Sequence, residues 1–195
     1  MKVFGIGLQR TGLTSLTTAL NQLGIKTIQC PKELFHDLAH DIIREYDGFT
    51  DNPVQLLYKE LDKKYPNSKF IFTTRDKESW LKSMHWLFTI GAVKFKTANE
   101  LFGDEFHRRF YGTTEFNEEL FLEKYQTYNQ GVLDYFSDRP EDLLIINIEQ
   151  GEGFNKLCQF LGKSMPAGAD FPHRNQSEGI LKVRLKKLFN LYPQK

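Results

Sequence analysis

Two cysteines, Cys30 and Cys158, are all that the 195 residues contain, and neither has another cysteine near it in the chain. That excludes a disulfide framework and a CxxC metal or redox site, and it suits a reducing compartment. An excess of one charge is lacking too. Lys and Arg total 26 against 25 Asp and Glu, a formal net charge of +1, so no polyanion and no anionic membrane surface is called for. No apolar stretch approaches the ~18 residues of a membrane span, and Met1 and Lys2 run into a segment too short and Gly-interrupted for a signal peptide. The expectation is a cytoplasmic protein without a membrane or nucleic-acid partner. Internal repeats, low-complexity tracts and Gly/Ser linkers are also missing, and the length suits one domain over residues 1–195.

What the chain does have is bulky apolar surface. Hydrophobic residues make up 40% and 17 residues are Phe, enough for a packed core. Lys2 to Ile6 is a short apolar run stopped by glycine, followed by Leu13, Leu16, Leu20 and Leu23 at helical spacing. Ile25 to Gln29 is a second strand, and Leu34, Leu38, Ile42 and Tyr46 predict a second amphipathic helix. Gly48 to Asp51 is a brief strand, with Asn52 as an N-cap and Pro53 in the first turn of a helix through Tyr65. Lys69 to Thr74 is the clearest strand, and Asp76 caps a helix carrying Trp80, Met84, Leu87 and Phe88. Residues 91–114 lack a clean period and read as short helices of a mobile lid or acceptor-site insertion. A long helix through Phe121, Tyr128 and Tyr135, a buried strand Leu143 to Ile148, and a helix Phe154 to Leu161 follow. A last helix carries Leu181, Leu185, Leu188 and Leu191. Alternating strands and helices imply a three-layer α/β/α fold with a central parallel sheet. Ligands of such sheets bind outside the carboxyl ends of the strands.

Gly7 to Ser15 lies between a strand and a helix, where backbone N–H groups form a nest for phosphate or sulfate. Gly7 and Gly12 have Walker A spacing with Thr14 in the hydroxyl position, but Leu13 stands where a phosphate-loop NTPase has its lysine. Arg10 puts a guanidinium inside the loop instead, suited to an oxyanion in fork geometry. The plain alternative is a glycine-rich turn without a ligand. Arg75 ends the clearest strand, and Ser83 lies eight residues on in the following helix; together they suit a terminal phosphate monoester, unless Arg75 merely pairs with Asp76 or another acid. His36 and His40, four apart, have no third metal ligand at useful spacing, and no metal is expected. His85 follows Arg75 on its helix and either reaches the crevice or packs.

The order Arg10, Thr11, Gly12, Leu13, Thr14, Ser15 resembles the 5'-phosphosulfate loop of sulfotransferases, with Leu13 replacing the first of two paired threonines. The resemblance, from Val3 to about Asn175, implies the P-loop-like sulfotransferase architecture. The implied co-substrate is 3'-phosphoadenosine 5'-phosphosulfate (PAPS), bound by Gln9 to Ser15, with Arg75 and Ser83 on its 3'-phosphate. It implies a small-molecule or carbohydrate acceptor and the product adenosine 3',5'-bisphosphate (PAP). Asp51 takes the place of the family's histidine before Pro53 and is either the base or a cap and ion-pair partner; His85 is the reserve. The helix N-terminus at Asn52 stabilises the ionised carboxylate and so weakens it as a base. Phe49 stands where the family often has a lysine, which leaves the transition-state charge to Arg10. Phe171 to Asn175 resembles a late loop of short members, in which Arg174 adds charge at the 3'-phosphate; the Arg-Lys-Gly closing motif is absent. The rival readings are a P-loop small-molecule or nucleoside kinase, with Glu149 as its acid, and a non-catalytic nucleotide-binding module.

Overall fold

The structure, a computed structural model, describes residues 1–91 and 100–172. Its strands are β1 (Val3–Gly5), β2 (Thr27–Gln29), β3 (Gly48–Thr50), β4 (Lys69–Thr73) and β5 (Leu143–Ile146). They form one parallel sheet in the order β2-β3-β1-β4-β5. Because side chains alternate across a strand, Val3, Ile71 and Ile146 go to one face, where α1 (Leu13–Gln22) and α7 (Phe154–Leu161) cover them. Phe4, Phe49, Phe70 and Phe72 go to the other, with the Phe4 ring 5.7 Å from Phe49 and 5.4 Å from Phe70. That face is covered by α2 (Ile42–Glu45), α3 (Val54–Lys64), α4 (Lys77–Trp86), α5 (Glu100–Tyr111) and α6 (Glu118–Tyr135). The result is the three-layer α/β/α architecture expected from the alternation of elements.

The sheet grows from β1 first toward β3 and β2, then the chain after β3 crosses to β4 on the other side. The order reverses at β1, so the carboxyl ends of β1, β3 and β4 frame the crevice where such sheets hold ligands. Three non-glycine residues with left-handed backbone cluster at that edge: Arg10 (φ 69°), Cys30 (φ 56°) and Asp51 (φ 68°). Strain of this kind persists where surrounding structure over-determines it, and it gathers at functional sites.

Four expectations change. The helix through Leu34, Leu38, Ile42 and Tyr46 is instead a 3-10 turn (Lys32–Phe35) and the separate α2. Asp37 Oδ1 takes the Ala39 N–H at 2.8 Å and His40 Nδ1 that of Ile42 at 3.3 Å, so side chains capture donors a continuous helix would need. His36 and His40 thus share no helix. Asn52 is not the N-cap of α3; Pro53 holds that position, and Asn52 Oδ1 accepts from Gln55 Nε2 at 2.6 Å. The strand begun at Leu143 ends at Ile146, and Ile148–Gln150 is a 3-10 turn. Within 91–114, Glu100–Tyr111 form one helix, α5, whose Phe106, Phe110 and Tyr111 are buried in the core. The expected last helix and Arg174 lie outside the described residues.

Candidate active site

The loop after β1 is built around tight packing. A Cβ on Gly7 would sit 1.9 Å from Thr73 Oγ1 and 2.5 Å from the Thr73 carbonyl, so no other residue fits while β1 and β4 keep their spacing. Gly12 has φ 104° and lies at the N-cap of α1, a conformation that favours glycine. Thr11 Oγ1 donates to the Leu8 carbonyl at 2.6 Å and is 2.6 Å from Thr73 Oγ1. Trp80, fully buried, donates its indole N–H to the Gln9 carbonyl at 2.9 Å. The loop is thereby tied to β4 and α4 on both sides. The N-terminus of α1 has no side-chain cap, whereas Asp76 caps α4 by accepting from the N–H groups of Glu78 and Ser79. Leu13 is 3% exposed and packs in the α1 and α7 core, so it faces away from the crevice and contributes its backbone only.

Arg10 is half-buried and aimed by two contacts. Its Nε donates to Ser83 Oγ at 2.9 Å, and its guanidinium carbon lies 5.3 Å from the Trp86 ring centroid. Burial and the neighbouring Arg75 push its pKa down, while Asp51 opposes them. Two guanidiniums converge here, Arg10 near Asp51 and Arg75 paired with Glu149, and a pair of fixed cations at one crevice favours an anion. Arg75 donates from Nη1 to the Arg10 carbonyl at 3.0 Å, from Nε to Ser79 Oγ at 2.9 Å and from Nη2 to Glu149 Oε1 at 2.8 Å. Arg75 and Ser83, which the spacing suggested as one anion pair, therefore have different partners: Ser83 serves Arg10, and Ser79 stands beside Arg75.

Asp51 lies at the end of β3. Its Oδ2 accepts from Gln29 Nε2 at 2.8 Å and its Oδ1 from the Asn52 N–H at 3.0 Å; the same Gln29 nitrogen donates to Thr14 Oγ1 at 2.9 Å. Gln29 thus ties the candidate base to the loop. Burial raises the Asp51 pKa above the usual carboxylate range, against the Gln29, Asn52 and Cys30 hydrogen bonds and the charge of Arg10. The Asn52 amide bond that stabilises the ionised carboxylate is present, and burial acts against it. The Cys30 thiol is pushed above its ordinary value by burial and by the neighbouring Asp51.

His85 is exposed on the opposite side of α4 from Ser83, its ring 4.8 Å from Phe116, in a groove with Glu78, Leu81, Lys82 and Glu118. Nothing brings it to Asp51. Among the described residues, the histidine at the loop is His107 of α5, whose Nε2 is 3.3 Å from Gln9 Nε2; burial lowers its pKa to about 4, so it is neutral at pH 7. Gln29, Ser79, Trp86 and His107 were missed from sequence. Only Trp86 and Ser79 had a usable signal, standing at α-helical spacings on the helix that carries Ser83. Among the described residues no three His, Cys, Asp or Glu side chains gather as a metal site, and no helix is long and apolar enough to cross a membrane.

The loop after β1 bears Arg10, and Arg75 one strand away is bonded to its carbonyl; the family to which such a chain belongs comes from comparison with known proteins. The sulfotransferase domain family matches residues 2–180. The chain belongs to the sulfotransferase family. It is also similar to Ava biosynthesis cluster protein M of Aspergillus versicolor, at 28% identity over 232 residues, covering 94% of this chain and 84% of that protein. In this sulfotransferase-family chain the matched span takes in the loop, Asp51, Arg75, Ser83 and Glu149 together.

Proposed function

We propose that the protein transfers a sulfuryl group from PAPS to a small-molecule or carbohydrate acceptor. The observation that carries this reading is Arg10: one guanidinium on the loop between β1 and α1, fixed by Ser83 and Trp86, with Arg75 bonded to the Arg10 carbonyl. The fit to the donor is chemical. Loop N–H groups and Arg10 suit a 5'-phosphosulfate, and Arg75, one strand over, suits a 3'-phosphate. PAPS, when bound, supplies the sulfuryl group.

The protein's own residues then have distinct roles. Gln9 to Ser15, through backbone N–H groups, Arg10 and Thr14, hold the donor's 5' end and stabilise charge on the leaving phosphate. Asp51, with its pKa raised by burial, accepts the proton of the acceptor hydroxyl. Gln29 holds Asp51 and Thr14 in one geometry, and Ser83 sets the direction of Arg10. Leu13, buried where an NTPase has its lysine, weighs against the kinase reading.

A thermal-shift comparison tests the proposal, since a ligand that binds the native state raises its apparent stability. PAP without added metal should raise the melting temperature more than ADP does. Equal shifts, or stabilisation only by ATP with magnesium, would overturn the assignment of PAPS as donor.

A further inference from the structure

The acid beside Arg75 occupies a position that the proposed donor also needs. The Arg75 guanidinium is held on two sides that a ligand leaves intact: Nη1 on the Arg10 carbonyl and Nε on Ser79 Oγ. Tyr125, donating its hydroxyl to the Arg75 carbonyl at 2.7 Å, fixes the backbone beneath. The third side, Nη2, donates to Glu149 Oε1 at 2.8 Å. Ser79 Oγ accepts from Arg75 and donates its own hydrogen to the same carboxylate, 3.1 Å from Oε1 and 3.2 Å from Oε2. The carboxylate therefore rests on one guanidinium N–H and one hydroxyl, the donor set that suits a phosphate monoester. Ser83, one turn further along α4, is engaged by Arg10 instead.

We propose that Ser79 binds the donor's 3'-phosphate and that Glu149 is the resident carboxylate which that phosphate replaces on Arg75 and Ser79. The inference rests on the reading of Arg75 as the 3'-phosphate site. Glu149 sits on the 3-10 turn Ile148–Gln150, and its side chain is 47% exposed against 20% for Arg75. An exposed carboxylate on a short turn is held weakly and returns to water when displaced, whereas Arg75 and Ser79 stay in place. Binding of a 3'-phosphate is then an exchange of anions. A nucleotide with a 3'-hydroxyl leaves the Arg75–Glu149 pair untouched, so Glu149 opposes only nucleotides that carry the 3'-phosphate.

Isothermal titration of the wild type, Ser79→Ala and Glu149→Gln with PAP and with ADP, without metal, tests this. Ser79→Ala should weaken PAP about tenfold, the loss of one hydrogen bond to a charged group. Glu149→Gln should tighten PAP by up to about fivefold, the scale of one exposed ion pair, and both variants should bind ADP like the wild type. Unchanged or weaker PAP binding by Glu149→Gln would show that Glu149 only positions Arg75, and unchanged PAP binding by Ser79→Ala would remove Ser79; either result overturns the proposal. A parallel loss of PAP and ADP affinity in Ser79→Ala, with a lower melting temperature, assigns it a structural role and overturns it as well. Wild-type protein that binds PAP no better than ADP fails at the earlier step, the reading of Arg75 itself.

Discussion

Arg10 Nε donates to Ser83 Oγ at 2.9 Å across 73 residues of sequence. This bond joins the anion loop after β1 to the middle of α4, and it accounts for a buried serine, 6% exposed, in the middle of a core-facing helix. Ser83→Ala removes the acceptor that, with the Trp86 ring, aims the guanidinium. The expected result is a stability loss of about 1 kcal/mol in urea unfolding, with weaker PAP binding by titration.

Arg10→Ala should lower turnover by ~100-fold or more, the scale for removing a group aimed at developing charge. Arg10→Lys should recover only part of it, because a lysine cannot both bond Ser83 from a side nitrogen and lie flat over Trp86. PAP release from PAPS, measured with a panel of phenols, alcohols, amines and sugars, reads both variants.

For Asp51 the pH dependence has a definite sign. Its folded pKa is raised, so between the unfolded value, about 3.9, and the raised folded value the native state binds the extra proton. Stability falls as pH rises through that window and is level above it. Turnover, which needs the ionised base, should rise with pH through the folded pKa. Asp51→Asn should remove that rise and cost ~100-fold in turnover, while leaving the melting temperature at neutral pH equal or higher. Retained activity with a lower melting temperature would take Asp51 out of the mechanism.

His107 acts in the opposite direction. Its folded pKa is lowered to about 4, below the unfolded value near 6.5, so between the two the unfolded chain binds the proton that the native state refuses. Stability should rise with pH across that window and be level above it. His107→Phe should flatten this part of a urea-denaturation pH series.

Leu13→Lys should produce no magnesium-dependent ATPase. Leu13 is core, not crevice, so a lysine there buries a charge or distorts α1 and should cost at least ~3 kcal/mol. Melting curves and phosphate release measure the two effects together.

Much of the fold could be read from the sequence because buried parallel strands and helix faces leave strong periodic patterns. Leu13 to Leu20 and Phe154 to Leu161 formed helices close to the expected spans, and Asp76 capped α4 as expected. The pattern failed where side chains compete with the backbone, as Asp37 and His40 do before Ile42, and at α5, whose aromatic residues pack inward without a clean period. The candidate site divided in the same way. Arg10 and Arg75 follow strands and were visible there. Which serine each arginine engages depends on the turn of α4 relative to the sheet, and spacing from Arg75 to Ser83 does not carry that information. Gln29 and His107 come from distant parts of the chain and meet the loop only in the folded protein.

The chain has two tryptophans, and both touch the same loop: Trp80 through its indole N–H on the Gln9 carbonyl, Trp86 through its ring against Arg10. The intrinsic emission of the unlabelled protein is therefore a local gauge of that loop. A ligand that draws the Arg10 guanidinium off the Trp86 face changes the quenching of one indole, and one that shifts the loop backbone changes the hydrogen bond, and so the emission maximum, of the other.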